Sequence, residues 1–342
     1  MTDLLALPES GLADHLAAHV AGFRGPLTAT KFKGGQSNPT YLIEAASGRY
    51  VLRRKPPGVL LASAHAIERE FRVLGALHGS AVPVAAPLYL CEDPHVIGSA
   101  FYLMSHVPGT AQFDPSLPRH TPAQRAQAYS RVLEVLVALA RLDVAALGLA
   151  DYGRPGNYFA RQVTRWSEQY RASETDRIEA MEQLIGALPA ALPPDDGRIA
   201  LVHGDFRIDN LLWGADGELL AVVDWELSTL GHPLADLGYF CMALRLPRNP
   251  VLPGLAGVDR AALGIPAEDA VVDDFAEATG LDPRPHWNVH LAFHFFRLAA
   301  IAQGVMKRAL QGNASSEQAL AAGRMTRTIA ELGAAAMDAG PA

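Results

Sequence analysis

The chain has 342 residues, of which 49% are hydrophobic, and its formal net charge at pH 7 is −7. This is enough apolar material for the cores of two lobes, and an acidic chain without a run of Lys and Arg argues against a nucleic-acid partner. Cys91 and Cys241 lie far apart without CxxC spacing, so we expect neither a disulfide framework nor a zinc site. The opening stretch lacks a basic leader and an unbroken apolar run, so we expect no signal peptide, no membrane partner and a cytoplasmic location.

The N-terminal part of the chain is predicted to form a small α+β unit. Residues 28–54 read as an antiparallel ribbon, because two strand-like stretches flank the turn-prone sequence GGQSNP. Residues 64–77 place apolar side chains at helical spacing and predict one amphipathic helix. Further short strands are expected over 87–93 and 99–107. We therefore expect an N-lobe over residues 1–105, with a small β-sheet and one helix.

The remaining chain, residues 106–342, is predicted to form a larger and mainly helical C-lobe. The expected helices are 121–143, 157–172, 176–189, 286–311 and 315–337. Residues 199–225 form an island of strand character among these helices, and the residues that suggest chemistry concentrate in and just after this island.

Three polar residues of the island have the spacing of a phosphoryl-transfer site. Asp205 and Asn210 lie five residues apart on a predicted loop, and Asp224 ends the returning strand of a predicted hairpin. Because a tight hairpin brings its two ends together, we expect Asn210 and Asp224 to share a Mg²⁺ ion through hard oxygen ligands. Asp205 is then left to accept the proton of a substrate hydroxyl as the catalytic base.

A structural explanation of the same residues is also available. Asp favours turns because its side chain hydrogen-bonds to nearby backbone groups, and a lone Asp at a turn or strand end usually has that role. The combination of His-Gly-Asp, the gap of four residues before Asn210, the hairpin and the final Asp224 is much harder to obtain by chance. We therefore favour phosphoryl transfer.

The motifs resemble those of kinases. The pattern H-R-D, then Asn, then a metal-binding Asp is the protein-kinase template, and here His203-Gly204-Asp205 and Asp224-Trp225-Glu226 stand in its place. The H-G-D form resembles the aminoglycoside phosphotransferase and choline kinase group, which implies a bilobal protein-kinase-like fold and ATP as cofactor. By this resemblance His203 would support the catalytic loop, and Asp236 would hold the loop backbone from beneath.

Longer strings narrow the resemblance over most of residues 28–310. FKGGQSNPTY, YVLRRKPPG, HAIEREFRVL, VHGDFRIDNLLW and DWELSTLGHPLADLGYF are similar to the kinase-type domain that occurs alone in bacteria or fused to some acyl-CoA dehydrogenases. This implies an ATP-dependent O-kinase for a small molecule, with a hydroxyacyl-CoA thioester as a plausible acceptor. The alternatives are an aminoglycoside or amino-alcohol kinase and a weakly active nucleotide-binding pseudokinase. The sequence does not set the oligomeric state.

The turn GGQSNP is a candidate phosphate cradle. Gly34 and Gly35 allow backbone N–H groups to approach a phosphate closely, and Ser37 adds a hydroxyl. Taken alone, such a turn is more often a plain hairpin connection. Its position in a kinase-like chain makes it a candidate nucleotide site, whose residues are Gly34, Gly35, Gln36, Ser37 and Asn38.

A cation on the next strand is expected to contact the α- and β-phosphates. Kinases use a Lys that pairs with a helix Glu, but the corresponding residue here is Arg53, with Lys55 as the second candidate. These two side chains share a strand face, whereas Arg54 points to the other face. The expected partner of Arg53 is Glu70, unless Glu68 and Glu70 only form a solvated helix face.

The adenine is expected at the junction between the lobes. By the resemblance, it would use backbone groups of Ser105 and Val107, behind the side chain of Met104. The side chains themselves carry little information at this position.

The helix predicted over 286–311 carries His286, His290 and His294 on one face, and Arg297 follows. A zinc site is conceivable, but no acidic or Cys ligand lies nearby in the sequence, and a core helix or a substrate-pocket wall is favoured. Arg297 in an apolar helix either pairs with a buried carboxylate or meets an anionic substrate. We therefore list His290, His294 and Arg297 as candidate substrate-binding residues.

Overall fold

The structure is a computed structural model that describes residues 7–32, 38–56, 66–312 and 319–339. Contacts divide the chain into two compact units. The first, the N-lobe, comprises Met1–Thr110 and Leu220–Leu227, and the second, the C-lobe, comprises Ala111–Leu219 and Ser228–Ala342.

The N-lobe is built on an antiparallel sheet. Its strands are β1 (Leu27–Lys31), β2 (Thr40–Ala45), β3 (Gly48–Arg54), β4 (Pro87–Cys91) and β5 (Phe101–Ser105). Their order in the sheet, within the described residues, is β1-β2-β3-β5-β4. Alternate residues of β2, Tyr41 and Ile43, are buried, as expected for a sheet with one covered face.

Two helices pack in the described N-lobe, α1 (Glu9–His19) and α2 (Ile67–Leu77). The helix predicted over 64–77 is α2. Helix α1 was not predicted from the sequence, although its Leu12 and Leu16 belong to the buried core formed with the sheet. Its few apolar residues alternate with acidic and small ones, so the pattern is weak without knowledge of the sheet that covers it.

Residues 220–227 belong to the N-lobe, although the division expected at residue 105 places them in the C-lobe. The physical reason is a set of contacts within the first unit. The Val222 N–H donates a 2.8 Å hydrogen bond to the Pro83 carbonyl, and Asp224 and Glu226 both bind Arg53 of β3. Residues 220–227, at the end of the hairpin and just after it, are thus part of the N-lobe.

The C-lobe is mainly helical, as predicted. Its helices are α3 (Pro122–Arg141), α4 (Tyr158–Ser173), α5 (Glu179–Ala191), α6 (Leu234–Arg245), α7 (Arg260–Leu263), α8 (Glu268–Thr279), α9 (Trp287–Leu310), α10 (Ala319–Arg324) and α11 (Thr326–Asp338). The short strands outside the five-stranded sheet are β6 (Thr110–Ala111), β7 (Ala200–Val202), β8 (Leu211–Trp213), β9 (Leu219–Val222) and β10 (Thr229–Gly231), and most of β9 lies in the N-lobe. The central helix is α9, which contacts α4, α5, α6, α10 and α11.

The expected helix over 315–337 is observed as two helices, α10 and α11, and residues 315–318 lie outside the described residues. Three described helices of the C-lobe were not predicted: α6, α7 and α8. Helix α6 is buried on nearly all sides, so its sequence lacks the one-sided apolar period that identifies a surface helix.

One helical stretch of the described chain, Arg284–Leu310, is long and apolar enough to cross a membrane. However, 78% of its most apolar window is buried inside the protein. This is the environment of a core helix, and the match by length and composition is weak support for a membrane span.

Candidate active site

The loop that carries Asp205 is fixed by a carboxylate of the C-lobe. The fully buried strand β7 leads into His203 and Gly204. Asp236, in the first turn of α6, accepts hydrogen bonds from the His203 N–H (2.7 Å, to Oδ2) and the Gly204 N–H (2.9 Å, to Oδ1). Gly204 has a φ of 85°, which favours glycine at this position. The structure thus places Asp236 directly against the loop backbone.

His203 supports the same loop from within. Its side chain is fully buried, and its Nδ1 accepts a 3.2 Å hydrogen bond from the Asp205 N–H. The guanidinium of Arg297 donates a 2.6 Å hydrogen bond to the Gly204 carbonyl. The backbone that presents Asp205 is therefore held at three successive residues.

The Asp205 carboxylate lies among hydrogen-bond donors and cations. Arg207 Nε is 3.2 Å from Oδ1, and the Asn210 side-chain amide donates to Oδ2 (3.0 Å) and to the Asp205 carbonyl (2.8 Å). Burial raises the pKa of the Asp205 carboxyl, but Arg207 and a hydrogen bond from Tyr239 outweigh burial and leave this pKa below its ordinary value. Asp205 is therefore ionised at neutral pH and can accept a proton.

Asn210 presents a hard oxygen next to Asp205. It ends the 3₁₀ turn Ile208–Asn210, and both of its hydrogen bonds to Asp205 come from Nδ2. The amide group therefore uses its donor end on the loop, and its Oδ1 is the type of ligand that Mg²⁺ prefers. The side-chain oxygen of Asn210 is therefore chemically suited to bind the predicted Mg²⁺ ion.

The N-lobe holds Arg53 at the centre of an ion cluster. Its Nε lies 3.0 Å from Glu70 Oε2, the predicted helix partner. Its Nη2 binds Asp224 Oδ1 at 2.8 Å and Glu226 Oε2 at 3.2 Å. One guanidinium thus serves three carboxylates. Asp224 itself has a φ of 67°, in the left-handed region that a non-glycine residue seldom adopts.

Glu70 is the buried member of this cluster, with 2% of its surface exposed. Beside Arg53, it accepts hydrogen bonds from Asn38 Nδ2 (2.9 Å) and the Tyr102 hydroxyl (3.1 Å). Burial raises the pKa of the Glu70 carboxyl to about 7; Arg53 opposes this change, whereas Asp224 and Glu226 add to it. Glu70 is therefore fixed in place by neutral donors as well as by Arg53.

The two neighbours of Arg53 on the chain have other partners. Lys55 pairs with Glu68 at 3.0 Å in a partly exposed contact. Arg54 is buried on the other face of the strand, where its Nε donates a 2.9 Å hydrogen bond to the Ser99 hydroxyl. Between the two candidates, Arg53 is the one that the structure places with Glu70 and Asp224.

The candidate nucleotide residues are only partly described. Gly34, Gly35, Gln36 and Ser37 lie outside the described residues. Asn38 was expected at the phosphates, but its side chain is 1% exposed and binds Glu70, so we correct its assignment to a support of the ion cluster.

Two of the backbone groups expected to anchor the adenine have partners within the N-lobe. The Ser105 N–H donates to the Ala86 carbonyl at 2.9 Å, and the Ser105 hydroxyl accepts from the Ala86 N–H at 2.9 Å. Strand pairing thus already uses the amide of Ser105. Met104 lies in β5, and the Val107 carbonyl accepts a 2.8 Å hydrogen bond from the Gly109 N–H.

The candidate substrate residues of α9 are core residues. His294 is fully buried, and Arg297 is 5% exposed, with its guanidinium 5.1 Å from the centre of the Tyr239 ring and 5.7 Å from that of Trp166. Neither side chain is open to a substrate, so this assignment is corrected for both: Arg297 holds the Gly204 carbonyl, and His294 packs beside Tyr239. His290 is 2% exposed and lines another cavity of the C-lobe. The described residues contain no cluster of three or more His, Cys, Asp and Glu side chains that could hold a metal ion.

Three residues of the site were missed in the sequence: Arg207, Glu226 and Tyr239. Arg207 and Glu226 stand two residues after Asp205 and Asp224, inside the segments that resemble kinase motifs. Their proximity to these motif residues was the available signal. Tyr239 lies one helical turn after Asp236, and that relation becomes visible only once α6 is known to be a helix.

Residues 28–257 match the model of the phosphotransferase enzyme family (APH). Acyl-CoA dehydrogenase family member 10 of Mus musculus is 47% identical over 96% of this chain and 31% of that protein. Acyl-CoA dehydrogenase family member 11 of Rattus norvegicus is 42% identical over 95% of this chain and 42% of that protein. The chain therefore spans well under half the length of these relatives.

Solved structures give the same architecture. A Ralstonia eutropha protein assigned to the aminoglycoside phosphotransferases has a TM-score of 0.90 at 45% identity, covering 98% of this chain and 100% of that one. An aminoglycoside phosphotransferase in complex with ADP and hygromycin B has a TM-score of 0.63 at 14% identity, covering 96% of this chain and 98% of that one. The second similarity shows the fold alone. The expected α+β protein-kinase-like fold, with a small sheet N-lobe and a helical C-lobe, is confirmed.

Proposed function

Because the chain belongs to the phosphotransferase enzyme family and is therefore a kinase-type enzyme, we propose that it transfers the γ-phosphoryl group of ATP to a hydroxyl of a small molecule. The observation that carries this proposal is the Asp205 carboxylate, which Arg207, Asn210 and Tyr239 hold ionised on a loop fixed by Asp236. A carboxylate in this state orients an acceptor hydroxyl and takes its proton as the phosphoryl group is transferred.

The other residues have roles in binding. In the N-lobe, Arg53 is the proposed contact of the α- and β-phosphates, since it is a fixed cation whose position Glu70 sets. Asp224 in the N-lobe and Asn210 in the C-lobe are the proposed Mg²⁺ ligands, and Mg²⁺ supplies neutralisation of the polyphosphate charge when it is bound. ATP as the donor is supported by the ADP complex of a protein with this fold.

The acceptor is proposed to be a hydroxyacyl-CoA thioester. A cavity of the C-lobe adjoins the catalytic loop at Arg207 and Asp209, and the rest of its wall is mostly apolar. Its lining carboxylate, Asp209, already pairs with Arg207 at 3.0 Å. This cavity measures only about 30 Å³, so it offers an apolar contact surface at the catalytic loop, which suits an apolar group better than a polycationic aminosugar that needs unpaired carboxylates. The names of the relatives, acyl-CoA dehydrogenase family members, also support an acyl-CoA acceptor.

Phosphorylation has a clear chemical use on such an acceptor. A 4-hydroxyl is a poor leaving group, and its phosphate ester is a better one. A later elimination step by a dehydrogenase-type enzyme could then remove phosphate from the acyl chain.

The test is formation of ADP from ATP and Mg²⁺ with a 4-hydroxyacyl-CoA, an aminosugar or an amino alcohol as acceptor. Asp205→Asn should lower turnover by several orders of magnitude, because the base is lost while the fold is kept. Asp216→Asn, in the exposed turn between β8 and β9, is the matched control and should retain full turnover. Full activity of Asp205→Asn would exclude the proposed base, and a preference for aminosugars would exclude the acyl acceptor.

A further inference from the structure

Arg297 places a positive charge in the core of the C-lobe. It lies near the middle of α9, within the apolar sequence FHFFRLAAI, and only 5% of its surface is exposed. Among the described residues, it forms no salt bridge with an Asp or Glu. Burying a charge without a paired counter-ion costs stability, and an apolar side chain of similar length would avoid this cost. We therefore looked for a contact that needs the guanidinium.

The guanidinium of Arg297 has three neighbours in the C-lobe. Its Nη2 donates a 2.6 Å hydrogen bond to the Gly204 carbonyl. Its central carbon lies 5.1 Å from the centre of the Tyr239 ring and 5.7 Å from that of Trp166. Its Nε is buried and has no hydrogen-bond partner among the described residues. The described hydrogen bond of this buried cation is thus made to the loop that carries Asp205.

This hydrogen bond acts on a peptide unit that is otherwise free to rotate. The Gly204 carbonyl and the Asp205 N–H belong to one planar unit. Arg297 binds its oxygen, and His203 Nδ1 accepts a 3.2 Å hydrogen bond from its N–H. Gly204 has a φ of 85°, and a glycine offers little steric resistance to rotation of the adjoining peptide. The two hydrogen bonds, on opposite sides of the unit, therefore fix its plane.

The same guanidinium contacts the residue that holds the Asp205 side chain. The Tyr239 side chain is buried and hydrogen-bonds to the Asp205 carboxylate. A cation over the face of an aromatic ring is attracted to that ring, most strongly where water is excluded. Arg297 therefore supports Asp205 in two ways, through the Gly204 carbonyl on the backbone side and through the Tyr239 ring on the side-chain side.

We propose that Arg297 is a positioning residue for phosphoryl transfer: its guanidinium fixes the Gly204–Asp205 peptide plane and the Tyr239 ring, so that the Asp205 carboxylate keeps one orientation toward the acceptor hydroxyl. This inference rests on the proposed function, in which Asp205 is the base. Arg297 is buried in the core, so it acts through its neighbours and contacts neither ATP nor the acceptor.

The first test separates kcat from KM, with ATP, Mg²⁺ and a 4-hydroxyacyl-CoA as substrates. Arg297→Met should lower kcat by about a hundredfold, as a displacement of about 1 Å in a reacting group can do. Both KM values should stay within about twofold of those of the wild-type chain, because Arg297 contacts neither substrate. Arg297→Lys should recover about tenfold of the lost kcat, since an ammonium can still donate to the Gly204 carbonyl but lacks the planar fork.

The matched control is Arg125→Met. Arg125 of α3 is 8% exposed, and its Nε donates hydrogen bonds to the carbonyls of Ser116 (2.7 Å) and Leu117 (3.1 Å). This variant also removes a buried arginine that binds backbone carbonyls, but those carbonyls lie on a different loop. It should lower the thermal unfolding temperature as Arg297→Met does, and it should keep the wild-type kcat at saturating substrate.

The second test needs no substrate. Hydrogen exchange of the Asp205 backbone amide, followed by NMR, should be faster in Arg297→Met than in the wild-type chain and unchanged in Arg125→Met. Unchanged exchange, a raised KM with an unchanged kcat, or equal losses of kcat in Arg297→Met and Arg125→Met would overturn the inference.

Failure of the proposed function gives a different result, because the wild-type chain itself would then form no ADP with any hydroxyl acceptor. Thermal unfolding shows whether each variant is folded at the assay temperature. If Arg297→Met is not folded, Arg297→Lys, which keeps the buried charge, takes its place. A wild-type kcat in Arg297→Lys would then count against the positioning role.

Discussion

Each lobe places a candidate functional carboxylate beside an arginine, but the carboxyl pKa is raised in the N-lobe and lowered in the C-lobe. In the N-lobe, Arg53 is shared by Glu70, Asp224 and Glu226, and the pKa of Glu70 is raised by burial beyond what this shared cation can offset. In the C-lobe, the pKa of Asp205 is lowered, because Arg207 and the Tyr239 hydroxyl outweigh burial. The difference follows from how many carboxylates share each cation.

This contrast fits the two proposed roles. Asp205 must be ionised to accept a proton, and its surroundings supply Arg207, which it shares with Asp209, and the side-chain amide of Asn210. Arg53 must keep a fixed position for phosphate contact, and three carboxylates hold it from different sides. The N-lobe carboxylates therefore fix the position of Arg53, and the groups around the C-lobe loop keep the Asp205 carboxylate ionised.

The largest expected effect comes from removing the shared cation. Arg53→Met leaves Glu70 buried without its guanidinium, and breaking a buried ion pair in this way costs about 3–5 kcal/mol. We expect the free energy of unfolding to fall by about that amount in urea denaturation. Arg49→Met is the control, because Arg49 pairs with Glu44 at the surface, where ion pairs contribute little.

A double variant distinguishes the loss of the Arg53 charge from the loss of its packing contacts. Adding Glu70→Gln to Arg53→Met removes the unpaired buried carboxyl, and it should restore part of the lost stability. If Arg53→Met and Arg49→Met unfold at the same urea concentration, the N-lobe cluster does not depend on Arg53. The comparison between the lobes would then fail.

The sequence was sufficient for the pieces that are local. The spacing of Asp205 and Asn210 predicted two side chains that the structure brings into contact, and the resemblance to kinases supplied the pairing of Arg53 with Glu70. Asp205 and Asn210 are only five residues apart, so a local pattern was enough to find them. Metal binding, the role of each site residue and a cytoplasmic location stay predictions.

The rest depended on contacts between distant positions. Asn38 binds Glu70 across 32 residues of chain, and Arg297 reaches Gly204 across 93. Neither side chain carries a local signal of its partner. Helix α6, which carries Asp236 and Tyr239, is buried on nearly all sides. Its sequence therefore lacks the one-sided apolar periodicity by which a surface helix is predicted.

A smaller effect is expected from the packing that supports the C-lobe loop. A Cβ at Gly238 of α6 would lie 2.6 Å from Cδ2 of the buried His294 on α9. Gly238→Ala should therefore lower the free energy of unfolding by about 1–3 kcal/mol, as overpacking does. Turnover should fall as well, because α6 carries Asp236 and Tyr239. Both effects can be measured on the same sample, by urea denaturation and ADP formation.

The control for this variant is Gly186→Ala in α5, where the added Cβ meets no atom within 4 Å. Helix propensity alone should make Gly186→Ala more stable, by up to about 1 kcal/mol. Equal changes in the two variants would show that α6 and α9 can separate without cost. The loop geometry would then not depend on their close approach.

The pH dependence of stability tests the N-lobe half of the comparison directly. A carboxyl whose pKa is higher in the folded than in the unfolded chain keeps its proton longer when folded, so stability falls as pH rises between the two values. For Glu70 this window runs from 4.5 to about 7, and the slope is at most about 1.4 kcal/mol per pH unit.

The Gln side chain of Glu70→Gln cannot titrate, so this variant should lack the fall in stability that Glu70 causes. The free energy of unfolding of the variant should therefore rise relative to that of the wild-type chain as the pH increases from 4.5 to about 7. Glu68→Gln, on the same helix and partly exposed beside Lys55, should keep the wild-type slope. Urea denaturation at several pH values measures both. Parallel curves for Glu70→Gln and the wild type would mean that Arg53 alone keeps Glu70 ionised, and the two lobes would then treat their carboxylates alike.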